Sequence, residues 1–482
     1  MANSISDELQ HIFNARSVAV IGASSSSFKW GAQTLHRLIN FGFHGKVYPI
    51  NPRETEIQGL RAFPSVLDVP DPIDLAVITV RADMVPRSVK ECTEKGIKGA
   101  IIISADFAET GHHGQSLQEE TLEIARQGGL RFVGPNCFGI FNSANGLNTL
   151  PTVPVKGEIG FISQSGSLVH MVARMASLKG YGLSKLVSAG NQADLDVADY
   201  LQFLGDDPET KSIVIYLEGF KNGRKLFDVA KQVTAKKPVV IYKAGRHPDS
   251  GRVSMSHTAN MTGEDRIFDA MCRQVGMLRA ETLHATMDMA AILTKQPSPV
   301  GNRIGIQGTG GQCMILADTC LSLGMQVPEL SDEEAEKIIS GIQFPPHAPM
   351  PRNPVDFAGS HTALMDATVI NNMAQLDKID GIISYRPVTF HIQSISSPEE
   401  QAEMDRKVGE LIAEAPLKYG KPLVLIGFDR GTEKEIFRES EIINQAIKSA
   451  GILSFQTLED AAGAMNALVR YGEIKRRQLE VQ

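Results

Sequence analysis

Short apolar runs rich in β-branched residues recur along the chain. Each is closed by a glycine- or serine-rich turn and followed by apolar residues at helical spacing. The first copy is Ser17-Val18-Ala19-Val20-Ile21, then Gly22-Ala23-Ser24 and a polar turn to Gly31, then a helix carrying Leu35, Leu38 and Ile39. The second is Ile159-Gly160-Phe161-Ile162, then Ser163-Gln164-Ser165-Gly166-Ser167, with helical spacing through Leu168, Val172 and Met175 to Gly180. The third is Arg303-Ile304-Gly305-Ile306, then Gln307-Gly308-Thr309-Gly310-Gly311 and a helix toward Gly324. Further buried-strand patterns fall at Leu75–Val80, Ala100–Ser104, Ile213–Leu217, Val239–Lys243, Gly381–Ser384 and Leu423–Ile426, with helical stretches between them. This alternation predicts an α/β protein of parallel sheets. Crossovers in such sheets bring strand C-termini and helix N-termini to one edge, so all three Gly/Ser turns are expected on ligand-binding edges.

A chain of 482 residues exceeds what one hydrophobic core organises, and about three domains of roughly 150 residues are expected. Pro151-Thr152-Val153-Pro154 and Gln296-Pro297-Ser298-Pro299 supply the breaks, predicting domains 1–150, 151–297 and 298–482. Phe344-Pro345-Pro346-His347-Ala348-Pro349-Met350-Pro351 reads as a rigid loop inside the third. A hydrophobic fraction of 42% with 21% charged residues suits packed cores and argues against disorder. The net charge is -7 and no basic tract stands out, which argues against nucleic-acid binding. The N-terminus lacks a signal pattern and no run of about 18 apolar residues follows, so a cytoplasmic protein without a membrane segment is expected. Cys92, Cys137, Cys272, Cys313 and Cys320 form no CxxC pair. Reduced thiols and no cysteine-held metal are the corresponding expectations.

Candidate chemistry gathers at the turns. Gly22-Ala23-Ser24 can bring backbone N–H groups close to a phosphate, aided by the following helix dipole. The turn is not a GxGxxG, and the next strand, Val47-Tyr48-Pro49-Ile50, ends in Asn51-Pro52-Arg53 rather than an acidic ribose clamp. Nicotinamide dinucleotides are therefore disfavoured. Arg53 is suited to a phosphorylated nucleotide such as the 3′-phosphate of CoA, and a structural role for Asn51 or Arg53 fits the pattern equally well. Ser163 to Ser167 offers hydroxyls and N–H groups at a helix start, a geometry for a carboxylate or phosphate oxygen. Helix capping accounts for one of these serines, and Gly166 permits close backbone approach. From Gly245 to Gly263 the chain has no apolar period and holds His257 between Ser256 and Thr258. So long an irregular connection points to function, and His257 is either a movable nucleophile or a tie for its own loop.

Ser256-His257-Thr258-Ala259-Asn260-Met261-Thr262-Gly263-Glu264-Asp265, preceded by Lys243-Ala244-Gly245-Arg246, resembles the phosphohistidine loop of the NDP-forming acyl-CoA synthetase and succinyl-CoA synthetase superfamily. The resemblance extends in order through Gly22-Ala23-Ser24, Asn51-Pro52, Gly134-Pro135-Asn136-Cys137, Ser163-Gln164-Ser165-Gly166 and Glu218. It continues into Gly308-Thr309-Gly310-Gly311 and Asn353-Pro354-Val355-Asp356-Phe357, covering nearly the whole chain. It implies a Rossmann-like CoA-binding domain followed by two flavodoxin-like, succinyl-CoA synthetase-like domains. It implies further that His257 carries a phosphoryl group, that Glu218 orients its ring, and that Gly22, Ala23, Ser24, Lys29, Asn51 and Arg53 bind CoA. Asn136, Ser165 and Gly166 would shape the substrate and phosphate site. The carboxylic acid substrate would react through an acyl phosphate.

The family's nucleotide site is an ATP-grasp fold, for which no further stretch of about 200 residues follows the third domain. The resemblance therefore implies a separate ATP-grasp β subunit binding ATP or GTP and Mg²⁺, in an α2β2 assembly. The chain departs from the family pattern in three places. Arg53 stands where lysine is frequent, Asp106 where glycine is common, and Asn260-Met261 where small or apolar residues follow the histidine. Asp106 and Asn260-Met261 keep a noncatalytic CoA-responsive scaffold as the competing expectation.

Overall fold

In the computed structural model, the described residues are 4–246, 264–359, 361–387, 389–390, 397–427, 437–438 and 440–480. They fall into two compact units, Met1–Ala290 and Ala291–Gln482. The first unit holds two sheets. In one, five parallel strands run in the order Lys46–Ile50, Ser17–Ile21, Leu75–Ile78, Gly99–Ile102 and Arg131–Val133. Ser17–Ile21 is buried at every position, as expected of a central parallel strand covered on both faces. Successive side chains alternate between cores: Val18 and Val20 enter one cluster, Ala19 and Ile21 the other.

The second sheet has seven strands in the order Leu278–Arg279, Val239–Lys243, Ser212–Leu217, Lys156–Ser163, Leu183–Ser188, Ile140–Asn142 and Leu147–Asn148. Its first five strands are parallel. The last two form an antiparallel hairpin that closes the edge beside Leu183–Ser188, a departure from the all-parallel expectation. The hairpin is hard to see in sequence because its buried positions include polar Asn142, Asn148 and Thr149. Tertiary hydrogen bonds satisfy them. The Asn142 amide donates to the Phe13 carbonyl at 2.9 Å, and Thr149 Oγ1 accepts from the Ile140 N–H at 2.8 Å.

One continuous apolar cluster runs from Val18, Val77 and Ile101 through Val133 to Ile162, Val187 and Ile213, which joins the two sheets into a single unit. The helix Ile5–Phe13 reinforces the junction. A Ser4/Asp7 capping box starts it, and Phe13 stacks on Phe203 of the helix Val197–Asp206 with ring centroids 4.6 Å apart. Arg131 links Asp194, at 2.8 Å, to Glu8.

The second unit is built on five parallel strands in the order Val355–Asp356, Ile304–Gly308, Gly381–Tyr385, Leu423–Ile426 and Leu453–Phe455. Its core includes Ile382, Leu423, Leu425, Val369 and Ile412. Among the described residues no helix is long and apolar enough to cross a membrane. All five cysteines are buried and unpaired.

Candidate functional site

The first turn follows the strand Ser17–Ile21. Gly22 takes φ +92°, and its N–H donates to the Ile50 carbonyl at 3.1 Å. Gly31 passes so close that a Cβ there would lie 2.0 Å from the Gly22 carbonyl oxygen, so only glycine lets the turn and the helix start Trp30–Asn40 fold together. Asn51 is the tie between turn and neighbouring strand. Its amide donates to the Ala23 carbonyl at 2.7 Å, while its Oδ1 accepts from the N–H groups of Arg53 and Glu54 at 2.8 and 3.2 Å. Glu54, which the sequence did not single out, accepts from Ser25 N–H at 3.3 Å and from the Asn51 amide at 3.2 Å. Ser24 is buried and its hydroxyl accepts from Ser26 N–H. Lys29, at the N-cap of Trp30–Asn40, and Arg53 are exposed. Among the described residues neither side chain is engaged, which leaves two cations beside a backbone turn of phosphate-binding type.

The second turn lies at the C-terminal end of Lys156–Ser163. Ser165 caps the helix Gly166–Leu178 by position, but its hydroxyl does not cap it; Oγ instead lies 3.2 Å from Ser167 Oγ. Both hydroxyls are thus available at a helix N-terminus. Gln164, just before them, turns inward and is buried. Its Oε1 accepts from the N–H groups of Glu218 and, at 3.0 Å, Gly219, and its amide donates to the Gly219 carbonyl at 2.7 Å. Gln164 therefore fastens the serine turn to the peptide of Glu218, which follows the strand Ser212–Leu217. Glu218 is half-buried and hydrogen-bonded to the Tyr216 phenol; burial, with that carboxylate beside it, pushes the phenol well above its ordinary value.

The two turns meet across the junction of the sheets. Trp30 packs on Phe138 with centroids 5.3 Å apart, and a Cβ on Gly166 would sit 2.5 Å from the Phe138 ring. Asn136, at φ +56°, is held between the sheets. Its N–H donates to the Ser104 carbonyl at 2.9 Å and its amide to Asn191 Oδ1 at 3.3 Å. The Asn191 and Ala193 N–H groups reach the Pro135 and Gly134 carbonyls at 2.9 and 3.0 Å. Asn136, Ser165, Gly166 and Glu218 therefore sit on neighbouring segments of one edge. Asp106 is exposed at φ +74°, with its N–H on Glu109 at 2.8 Å.

His257 lies outside the described residues, as does the rest of 247–263. Both flanks of that loop are anchored. Arg246 donates to Glu281 at 2.5 Å and to the Lys243 carbonyl at 3.2 Å, and Asp265 pairs with Arg279 at 2.5 Å. Lys243 is fully buried with its ammonium 5.7 Å from the Phe268 ring; burial lowers its pKa, with Asp265 opposing. In the second unit, the third turn places the Gly310 N–H on Asp356 at 2.9 Å. Nearby, His361 Nδ1 lies 2.9 and 3.0 Å from the two carboxylate oxygens of buried Asp366. Gln164, Tyr216, Glu54, Phe138 and His361 were assigned no role from sequence. The spacing of Tyr216 and Glu218, two residues apart on an extended segment, was the available signal for Tyr216; Gln164, Glu54 and Phe138 depend on contacts between distant segments, and His361 on the turn that brings it to Asp366.

Parallel sheets with Gly/Ser turns at their binding edges and unengaged cations beside one of them define an α/β protein for phosphate-bearing ligands. Comparison makes this specific. A CoA binding domain matches residues 16–143, and a succinyl-CoA ligase-like flavodoxin domain matches residues 156–293. The chain is 38% identical over 465 residues to the acetate–CoA ligase [ADP-forming] II subunit alpha of Pyrococcus furiosus, covering 96% of this chain and 97% of that one. It is 40% identical over 358 residues to the acetate–CoA ligase [ADP-forming] of Methanocaldococcus jannaschii, covering 74% of this chain and 50% of the relative. Among solved structures, the dinucleotide forming acetyl-coenzyme A synthetase 1 of Ca. Korarchaeum cryptofilum, in complex with phosphate and ADP, superposes with TM-score 0.83. The two chains are 30% identical, with 98% of each covered. The chain belongs to the NDP-forming acyl-CoA synthetase family, acid–thiol ligases, as a subunit of the alpha type.

Proposed function

We propose that this chain is the CoA-binding, phosphohistidine-carrying subunit of an enzyme that converts a carboxylic acid, CoA and a nucleoside triphosphate to acyl-CoA, nucleoside diphosphate and phosphate. A carboxylate resists thiol attack because its resonance must be lost and an oxide-like group expelled. Phosphorylation supplies the leaving group. In this reading an imidazole nitrogen of His257 takes the terminal phosphoryl group of ATP or GTP. A substrate carboxylate oxygen then attacks phosphorus and frees the imidazole. The CoA sulfur adds to the acyl phosphate carbonyl, and phosphate leaves. Glu218 accepts the N–H of the other ring nitrogen and so orients the ring.

The observation that carries the reading is the hydrogen-bonded linkage, through Gln164, of the serine turn to Glu218 on the edge that also holds Asn136. Residues 1–150 bind CoA through Gly22, Ala23, Ser24, Lys29, Asn51 and Arg53. Residues 151–297 contain the phosphohistidine loop, and residues 298–482 form the second succinyl-CoA synthetase-like domain. Asn136, Ser165 and Gly166 cradle the acyl phosphate with N–H and hydroxyl donors. Relatives named as alpha subunits support a partner, which we assign as an ATP-grasp β subunit holding the nucleotide and Mg²⁺ in a cytoplasmic α2β2 enzyme.

The test combines the chain with that partner, γ-labelled ATP and Mg²⁺. Acid-labile label is expected on wild-type protein and absent from His257→Ala, which retains CoA binding. Acyl-CoA formation by His257→Ala at the wild-type rate would overturn the mechanism.

A further inference from the structure

Glu218 sits at the end of a strand, where a side chain has rotational freedom unless something removes it. Two residues remove it from two sides. Gln164 fixes the peptide with its whole amide: Oε1 accepts the N–H groups of Glu218 and Gly219, and Nε2 donates to the Gly219 carbonyl. Because Gln164 is buried, these bonds do not compete with bulk water. Tyr216 acts on the carboxylate itself. Its ring is buried and stacks on Tyr242 with centroids 6.0 Å apart and planes at 16°. The Arg246 guanidinium lies 5.0 Å from the centroid of the Tyr242 ring, and Arg246 is itself bonded to Glu281 and the Lys243 carbonyl. The stack leaves the phenol little freedom of its own, and its hydroxyl donates to Glu218.

We propose that Gln164 and Tyr216 are the positioning residues of Glu218, holding its peptide and its carboxylate in the ionised, aimed state that phosphoryl transfer through His257 requires. The inference rests on the function proposed above, since it gives Glu218 its meaning. A phenol donating to a carboxylate stabilises the ionised form. Its loss raises the pH at which Glu218 takes up a proton, so the acidic limb of the phosphorylation rate moves to higher pH. Glutamine at position 164 also ties the peptide that carries this carboxylate to the turn of Ser165, so the anion-binding turn and the histidine partner move as one body.

The experiment uses the full chain with its nucleotide-binding subunit. Initial rates of label transfer from γ-labelled ATP are measured between pH 5 and 8 for wild type, Glu218→Gln, Tyr216→Phe and Gln164→Met, with CoA affinity recorded for each. Glu218→Gln is expected to slow transfer about a hundredfold. Tyr216→Phe should slow it about tenfold at low pH and shift the acidic limb upward by about one unit. Gln164→Met should slow it about tenfold at all pH values, and all variants should bind CoA as wild type does. If Glu218→Gln transfers phosphate at the wild-type rate, the role given to Glu218 fails. If Glu218→Gln is slow while Tyr216→Phe and Gln164→Met keep the wild-type rate and pH profile, the positioning inference fails and the function stands. Should Gln164→Met not fold, the pH profile of Tyr216→Phe decides alone.

Discussion

Arg53 and Asn51 stand two positions apart and have separate tasks. Asn51 shapes the turn on which CoA is proposed to bind, since its amide donates to the Ala23 carbonyl and to Glu54 and its carbonyl accepts from the N–H groups of Arg53 and Glu54. Arg53 has its N–H fixed by Asn51 and its guanidinium exposed, unengaged among the described residues. A fixed backbone with a free cation is an arrangement for recognising a charged ligand group, and a fork-shaped guanidinium suits phosphate better than a point charge does. Arg53→Ala is expected to weaken CoA binding about tenfold, the scale of a lost charge-assisted hydrogen bond, and to leave the affinity for 3′-dephospho-CoA unchanged. Calorimetric titration with both ligands checks this. Equal weakening for both would move Arg53 away from the 3′-phosphate.

Where elements meet, polar side chains buried at strand ends decide the geometry. The strand Ile304–Gly308 contributes Gln307, whose amide donates to Asp366 at 2.8 Å, and the Ser384 hydroxyl donates to Gln307 in turn. At the head of this chain Asp366 holds the His361 imidazole above its ordinary pKa. Burial raises the Asp366 carboxyl, with His361 opposing. A histidine whose folded pKa is raised contributes stability that is complete below its unfolded pKa of about 6.5 and is lost as pH rises through the folded value. The second unit should therefore lose stability as pH climbs from about 6.5, and His361→Gln should flatten that slope. Thermal unfolding followed across this pH range reports it; an unchanged slope in His361→Gln would remove the histidine from the account. Neither His361 nor Asp366 was singled out in the sequence, because the pair is made by a turn of the chain after Val355–Asp356 and not by any motif. The strands, by contrast, were legible. Ser17–Ile21, Val239–Lys243 and Leu423–Ile426 form as read, since a strand buried on both faces leaves a continuous apolar run.

In the whole molecule the two compact units divide the chemistry unevenly. All the residues assigned to CoA, Glu218 and the serine turn belong to the first unit. A ligand that binds only the folded form of one unit stabilises that unit, by about 2.7 kcal/mol at a hundredfold excess over Kd. CoA should therefore slow hydrogen exchange across Ser17–Ile21 and Trp30–Asn40 and leave Ile304–Gly308 and Leu423–Ile426 unchanged, as read by mass spectrometry. Equal protection of the second unit would show that CoA engages it too.

Sequence by itself determined the α/β class, the three Gly/Ser turns and the candidate residues on them, because these depend on local signals: apolar periodicity, glycine at tight turns, and short motifs around reactive side chains. Only the tertiary structure decided that Ile140–Asn142 and Leu147–Asn148 close the edge of the second sheet. It alone joined Phe138 to Trp30 and Gly166 and turned Gln164 away from the neighbouring serine hydroxyls toward Glu218. The physical reason is that each of these contacts joins segments far apart in sequence. A buried polar group takes whatever partner the packing brings within hydrogen-bond reach, and residues 164 and 218 come within reach only after two strands pair.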